Sequence, residues 1–368
     1  MAETTITAIR TTPFCIPYAH EVRFSTGRLT HAEHVLVEVE TAGGVVGVAE
    51  AIPRLMVYGE TTVSIEHIIM TEISAAAIGL DVRDTAVLDM RLRHLVGNVT
   101  ARSAVELAMF DAIGKSLGQS CHRLLGGYAD TMTVTGSLGF GEVDTVRNEA
   151  AQLVADYGIR SFKVKVGMDI EKDVRIVRAL RGDLPEALIY VDANLGYTAR
   201  DALSFLRRTA EYDLAWIEEP CSIGDVLGRA DVAARSPIPI LGDESCTTVR
   251  EVVTEVLARR CAMISVKPPR TGIRASIRIR EFCAAVGAPL ILGTQGESGI
   301  GTFISAAFAA ADPATAVNPT ELGYFLNLRG DLLAEPPVVK DGVLRVPDGP
   351  GFGFTLDAEQ VARFRTDG

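Results

Sequence analysis

Ser161-Phe162-Lys163-Val164-Lys165-Val166-Gly167 alternates apolar and polar residues, the period-2 pattern of a strand, so Lys163 and Lys165 point the same way. Three more short apolar runs follow, each ending in a carboxylate. Ala187–Val191 runs into Asp192, Asp213–Ile217 into Glu218, and Ile238–Gly242 into Asp243. A fifth run, Ala262–Val266, ends at Lys267. From Lys165 to Asp192, Glu218, Asp243 and Lys267 the steps are 27, 26, 25 and 24 residues. That near-constant step is one strand, one helix and two short loops, repeated.

The repeat extends in both directions. Upstream, Thr131–Leu138 reads as a strand and 143–157 as a helix. Helical stretches near 171–182, 199–211, 224–234, 247–259 and 272–286 separate the strands; Thr248 with Glu251 forms a capping box, and Gly287 followed by Pro289 stops a helix. Pro289–Gly293 is a seventh strand, 299–311 a helix, and an eighth short strand is expected near 314–318. Strand–helix alternation predicts a parallel sheet. Seven or eight units over this length predict a closed barrel, and no GxGxxG follows a strand to suggest a dinucleotide fold.

Before the repeat the grammar differs. Residues 4–12 read as a strand, with Pro13 and Pro17 leading into a polar loop from about His20 to His31. His34–Glu40, the Gly43-Gly44 turn and Val45–Glu50 read as a hairpin, and 61–77, 82–95 and 101–118 as helices. The expected fold is therefore α/β. An α+β capping domain spans 1–125, a modified TIM barrel of (β/α)7β type spans 126–325, and a C-terminal segment, 326–368, packs back on the cap.

The chain has 368 residues, 48% of them apolar, enough for a large core. Its net charge of −11 argues against nucleic-acid partners and anionic membranes, and no run is long enough to span a bilayer. The N-terminus shows no basic region followed by an apolar run, so a cytoplasmic protein is expected, and its six scattered cysteines are expected to be reduced thiols. All six histidines lie at or before His122, so the barrel has no histidine for acid–base work.

In such barrels chemistry sits at the C-terminal strand ends. Lys165 and Lys267 would end the second and sixth strands, opposite each other. Asp192, Glu218 and Asp243 would fill the arc between them. Three adjacent carboxylates repel unless a cation binds, and oxygen-only ligands select a hard ion such as Mg²⁺, with Mn²⁺ as an alternative. Beside such an ion and Lys163, Lys165 should have a lowered pKa suited to proton transfer at carbon next to a carboxylate.

With these residues the chain resembles the enolase superfamily, and within it the muconate-lactonizing subgroup. The resemblance covers nearly the whole chain. It is carried by Lys163-Val-Lys165, Asp192-Ala-Asn194, Ile217-Glu218-Glu219-Pro220, Asp243-Glu244-Ser245, Lys267-Pro268, Glu297, Leu124–Gly127 and Gly349–Gly353. It implies metal ligation by Asp192, Glu218 and Asp243. It implies an acid/base role for Lys165 tuned by Lys163, Glu244 and Asn194 in support, and Lys267 as the opposite-face base or electrostatic stabiliser.

The subgroup includes cycloisomerases, dipeptide epimerases, N-acylamino acid racemases and o-succinylbenzoate synthases. Pro319-Thr320-Glu321-Leu322 is similar to the segment found in cycloisomerases acting on cis,cis-muconate in catechol degradation, where epimerases typically show Asp-x-Asp. Pro13–Tyr18, Arg23–Gly27 and His31–His34 are similar to the actinobacterial branch that adds anti across the double bond. Gly272-Ile273 stands in place of the usual Gly-Gly, and Gln295 stands where an apolar residue is common; both are expected on the pocket wall. A dicarboxylate substrate is therefore expected. Arg23, Arg54 and Gln295 are candidates for its distal carboxylate, with His20, Arg28 and Tyr58 as further ones, and Asn194 and Glu297 are also expected to bind substrate. Such barrels commonly associate, so a homo-oligomer is expected by analogy.

Overall fold

The computed structural model describes the backbone of residues 2–24 and 27–367 and the side chains of 2–19 and 30–367. The chain opens with an antiparallel meander of β1 (Ile6–Phe24), β2 (Gly27–Thr41) and β3 (Val46–Ala51), in that order across the sheet. The strand expected over 4–12 continues through Pro13 and Pro17 instead of giving way to a loop. β1 is the sheet edge, and both prolines face outward: their carbonyls accept from Thr366 N (2.9 Å) and Arg329 N (2.8 Å) of the C-terminal return. The missing N–H groups therefore cost no ladder bond to β2.

Helix Val99–Leu117 lies across this sheet at a distance only glycine permits, since a Cβ at Gly47 would run into the Ala108 carbonyl. Its other side meets barrel helix Pro268–Val286. That helix breaks at Gly272 (φ 73°), where Glu106 Oε1 accepts from Arg274 N (2.9 Å) and Ser103 Oγ donates to Pro269 O (2.5 Å). Gly272 thus faces the cap helix, against the Glu106 carboxylate, rather than the pocket wall.

The expected single strand Thr131–Leu138 is two strands in two sheets. β4 (Thr131–Thr133) is the first, and β5 (Thr135–Leu138) starts the barrel. The barrel continues through β6 (Ser161–Lys165), β7 (Leu188–Asp192), β8 (Ile217–Glu218), β9 (Ile240–Gly242), β10 (Met263–Val266) and β11 (Leu290–Leu292), all parallel. Closure comes from Thr320-Glu321: Thr135 N donates to Thr320 O (2.7 Å) and Glu321 N to Leu292 O (2.9 Å). The eighth strand expected near 314–318 is instead helix Pro313–Ala316, because Asp312 caps it and Pro313 suits a first helical turn. β13 (Val343–Arg345) pairs with β4 on one side and with β12 (Val339–Lys340) on the other, and helix Ala358–Phe364 lies against β1.

The barrel interior is stacked in layers. Tyr190, Trp216, Leu241, Met263 and Ile291 form an apolar plug separate from the main core. Adding two residues to Tyr190, Trp216 and Leu241 reaches Asp192, Glu218 and Asp243, so the same strand face passes from apolar to charged in one step. Met263 leads through Ser265 to Lys267 in the same way.

Glu106 carries a pH signature. Burial pushes its carboxyl up to about 7, against the Arg274 N–H bond that pulls it down. Between its ordinary value near 4.5 and about 7 the folded chain holds more protons than the unfolded one, so this group's contribution to stability falls as pH rises through that window. Glu106→Gln keeps an acceptor for Arg274 N and removes the ionisation. Its stability relative to wild type should rise by about 1–3 kcal/mol between pH 5 and pH 8 in urea unfolding. An unchanged difference at the two pH values would contradict this account.

Candidate active site

The charged layer is organised around Lys163, whose side chain is 4% exposed. Its Nζ lies 2.9 Å from Glu218 Oε1, 3.0 Å from Glu321 Oε1 and 3.0 Å from Asp192 Oδ2. Tyr190 OH (2.8 Å) and Thr294 N (3.1 Å) also donate to Glu321. Lys165, paired across the sheet with Asp192, keeps 18% side-chain exposure. Its ammonium donates to Asp192 Oδ2 and Asn194 Oδ1, both at 2.6 Å. Asn194 Nδ2 in turn donates to Glu244 Oε1 (2.9 Å).

On the opposite side Lys267 donates to Asp243 Oδ2. The fully buried Arg270 donates to Asp243 Oδ1 (2.7 Å) and to the carbonyls of Ser265 (3.0 Å) and Cys246 (3.3 Å). The loops beyond β7 and β8 hold strained backbone at Asn194 (φ 40°), Leu195 (φ 65°) and Glu219 (φ 35°). Cross-loop bonds keep them there, Leu195 N to Glu219 O (2.9 Å) and Glu219 N to Leu241 O (3.1 Å). Glu219 itself turns outward, where Oε1 accepts from Asp243 N (2.7 Å), Ser245 N (2.8 Å) and Ser245 Oγ (2.5 Å).

The electrostatics follow from these neighbours. Burial disfavours charge on Lys163, but Asp192, Glu218 and Glu321 outweigh it and hold its pKa above the ordinary lysine range. Burial likewise opposes charge on Asp192 and Asp243. Lys163 and Lys165 overcome it at Asp192, Lys267 and Arg270 at Asp243, and both carboxyls fall below the usual range. Glu218 carries the excess: burial and the neighbouring Asp192 push it well up, against the pull of Lys163. Glu244 is raised too, by burial and then by Asp243 and Asp192.

Oxygens of Glu218, Asp243 and Glu244 come within 4.8 Å of one another. Glu244 Oε2 is buried without a hydrogen bond, and Glu218 Oε2 lies 2.8 Å from Lys163 Nζ without an aligned one.

The structure thus brings Lys163, Lys165, Lys267, Asp192, Glu218, Asp243, Glu244 and Asn194 to one end of the barrel. Tyr58, from the cap, donates to Gln295 Oε1 (3.1 Å) in the loop after β11. Arg54 reaches the same loop, since a Cβ built at Gly296 would lie 2.6 Å from its Nη2. Glu297 folds back on its own loop, accepting from Thr294 Oγ1, Gln295 N (2.7 Å) and Gly296 N (3.2 Å). The side chains of His20, Arg23 and Arg28 lie outside the described residues.

Two residues of the layer, Glu321 and Arg270, were not foreseen as site residues. Glu321 sits in the Thr-Glu-Leu segment already noted, inside the expected barrel, and placing the last strand at 314–318 kept it off a strand end. For Arg270, three residues beyond Lys267, the only signal was its place just after the strand end.

The enolase C-terminal domain-like family model matches residues 145–361, and the mandelate racemase/muconate lactonizing enzyme N-terminal domain model matches residues 6–126. The chain belongs to the enolase superfamily, in its muconate-lactonizing subgroup. Muconate cycloisomerase 1 of Rhodococcus opacus is 30% identical, over 98% of both chains. The L-Ala-D/L-Glu epimerase of Thermotoga maritima is 32% identical over 79% of this chain and 85% of its own.

Among solved structures, the muconate lactonizing enzyme of Mycobacterium smegmatis complexed with muconolactone is 40% identical. It superposes with a TM-score of 0.97, over 99% of this chain and 100% of that one. The chain is thus an enolase-superfamily isomerase, and relatives with either reaction lie at similar identity. No helix among the described residues is long and apolar enough to cross a membrane.

The Lys163 cluster makes a direct prediction for this family member. Lys163→Met leaves Asp192, Glu218 and Glu321 facing one another in a buried site and is expected to cost about 3–5 kcal/mol in urea unfolding. Tyr190→Phe removes one bond from Glu321 and should cost about 1 kcal/mol. A Lys163→Met protein as stable as wild type would mean that these carboxyls are held neutral instead.

Proposed function

We propose that this protein is a Mg²⁺-dependent muconate cycloisomerase that closes cis,cis-muconate to muconolactone. The observation that carries the reading is the division of labour between the two lysines of β6. An ammonium has three N–H donors. Lys163 is enclosed by Glu218, Glu321 and Asp192. Lys165 is tied to Asp192 and Asn194, which leaves one N–H, and it is the more exposed of the two. This supports Lys165 as the proton donor and Lys163 as the charge that steadies its surroundings. The 40% identity to an enzyme whose structure holds muconolactone supports the choice of substrate.

The donor set fits a divalent cation. Glu244 Oε2 is a buried carboxylate oxygen without a partner, and Glu218 is pushed toward its neutral form by burial and by Asp192. A hard cation relieves both, and an all-oxygen set selects Mg²⁺ or Mn²⁺ over softer ions. Asp192, Glu218 and Asp243 would hold it, with Glu244 beside them. When bound, the ion supplies Lewis-acid stabilisation of negative charge on a substrate carboxylate.

Within that frame the chain's own groups carry the reaction. One substrate carboxylate forms a C–O bond to the conjugated carbon, and negative charge moves to the carbon next to the other carboxylate. Lys165 Nζ gives that carbon its proton as general acid. Asn194, fixed by Glu244, keeps the ammonium aimed. Lys267, on the opposite wall and bound to Asp243, adds positive charge across the pocket. The reading carries with it a cytoplasmic homo-oligomer serving aromatic catabolism.

Loss of the ultraviolet diene band of cis,cis-muconate tests the proposal. Wild-type protein with Mg²⁺ should bleach the band, EDTA should stop the reaction, and added Mg²⁺ should restore it. Lys165→Ala should fall by about 10²–10⁴-fold, the range for a positioned general acid. No bleaching by the wild type would reject the proposal. The retained Lys165 and Lys267 pair would then point to racemisation or epimerisation, read by α-hydrogen exchange of N-acyl amino acids and dipeptides in D₂O.

A further inference from the structure

We infer that Gln295 is the donor that recognises the second carboxylate of the substrate, and that Tyr58 orients its amide so that the NH₂ faces the pocket. This rests on the dicarboxylate reading above and adds the group that enforces it.

Gln295 is 3% exposed, and its Nε2 is buried without a hydrogen-bond partner. Leaving such a donor unmet costs on the order of 1–3 kcal/mol, so a buried orphan amide calls for an explanation. Its position supplies one. Two residues earlier, a Cβ at Gly293 would lie 2.5 Å from Lys267 Cε, which places this chain segment against the opposite-wall lysine. Gln295 lies two residues further along the same segment, which ends the seventh barrel strand, and is bonded there to the cap residue Tyr58.

The direction of the amide follows from its neighbours. Tyr58 OH donates to Gln295 Oε1 at 3.1 Å. That leaves Nε2, a donor, as the open end.

The rest of the loop agrees in sign. Glu297, the one acid in 294–297, has both oxygens taken by Thr294 Oγ1 and the backbone N–H groups of Gln295 and Gly296. Arg54 brings a guanidinium against Gly296. The loop therefore presents an N–H to an oxygen acceptor. It offers no open carboxylate to a substrate ammonium. In a chain of net charge −11, this edge selects an anionic group that the rest of the surface repels.

The test compares cis,cis-muconate with (2Z,4Z)-sorbate, the all-cis isomer, which has the same diene and only one carboxylate. Both are titrated into Mg²⁺-loaded Lys165→Ala protein, which binds without turnover. The parent should bind muconate at least ten-fold tighter than sorbate. Adding Gln295→Leu should reduce that ratio to within about three-fold, with sorbate and Mg²⁺ affinities unchanged. Gln295→Glu should reverse the preference. Tyr58→Phe, which frees the amide to turn, should lower the ratio to an intermediate value.

In the wild-type background Gln295→Leu should also melt no lower than the parent without ligand, because it removes an unmet donor. A purely structural glutamine would lower the melting temperature and leave the ratio alone. A ratio retained in Gln295→Leu overturns the inference and leaves the dicarboxylate reading standing. A parent ratio near one overturns both.

Discussion

A single buried ammonium, Lys163 Nζ, holds the mouth of this barrel together. Its ion pairs join β6 to β7 through Asp192, to β8 through Glu218, and to the closing Thr320-Glu321 segment through Glu321. Asp192 and Glu218 sit on adjacent strands and Glu321 faces them from the closing segment across the barrel mouth, so without the lysine their repulsion would open the end that closure must keep narrow. Hydrogen bonding sets the register of each strand pair. The ammonium gives the charged layer a reason to exist above an apolar plug of Tyr190 and Trp216. Lys163 also frees Lys165. Because the first lysine absorbs most of the negative charge, the second can stay partly exposed while touching only Asp192 and Asn194.

The same use of carboxylates fixes the cap to the barrel. Glu50, from β3, accepts from Ser298 N (2.9 Å), Ser298 Oγ (2.8 Å), Gly301 N (2.9 Å) and His34 Nδ1 (2.8 Å). It therefore supplies acceptors to the start of barrel helix Gly299–Ala309, where backbone N–H groups lack partners within the helix. Asp331 adds a second acceptor at Gly299 N (2.8 Å). Glu106 does the same for the helix that restarts after Gly272. These anchors flank the 294–297 loop and the Lys267–Arg270 corner. The cap thus arrives at the pocket edge on rigid points, and Tyr58 can meet Gln295 at a fixed place.

Much of this was readable from the chain because period and charge coincide. Strand ends recurring about every 26 residues place Lys165, Asp192, Glu218, Asp243 and Lys267 on one ring, and the structure puts them there. What failed to read had physical causes. Pro13 and Pro17 looked like breakers because their N–H loss is harmless only on an outward-facing edge, and edge status is a property of the sheet. The strand 131–138 divides because its two halves pair with different partners, β13 and β6, which local alternation cannot distinguish. Glu321 was hidden because a closing strand of two residues has too few positions to show a period. The direction of Glu297, turned into its own loop, depends on Thr294 and two N–H groups that any sequence of this composition would contain.

Between 26% and 32% identity this chain has both cycloisomerases and epimerases as relatives, and the geometry gives a reason why identity in that range separates them poorly. Proton transfer next to a carboxylate asks the same of both reactions: a charged layer, an opposed pair of lysines and a cation site. Those demands fall on the strand ends, where substitution costs several kcal/mol. Choice of substrate asks only for a donor or an acceptor at the far end of the pocket. Its energetic scale is that of one unmet polar group, about 1–3 kcal/mol, or roughly ten- to hundred-fold in affinity. A single amide on a loop after the seventh strand, set by a cap tyrosine, is enough to provide it. Specificity in this fold therefore belongs where the cap meets the barrel loops, and Gln295 is a buried position there with an unused donor.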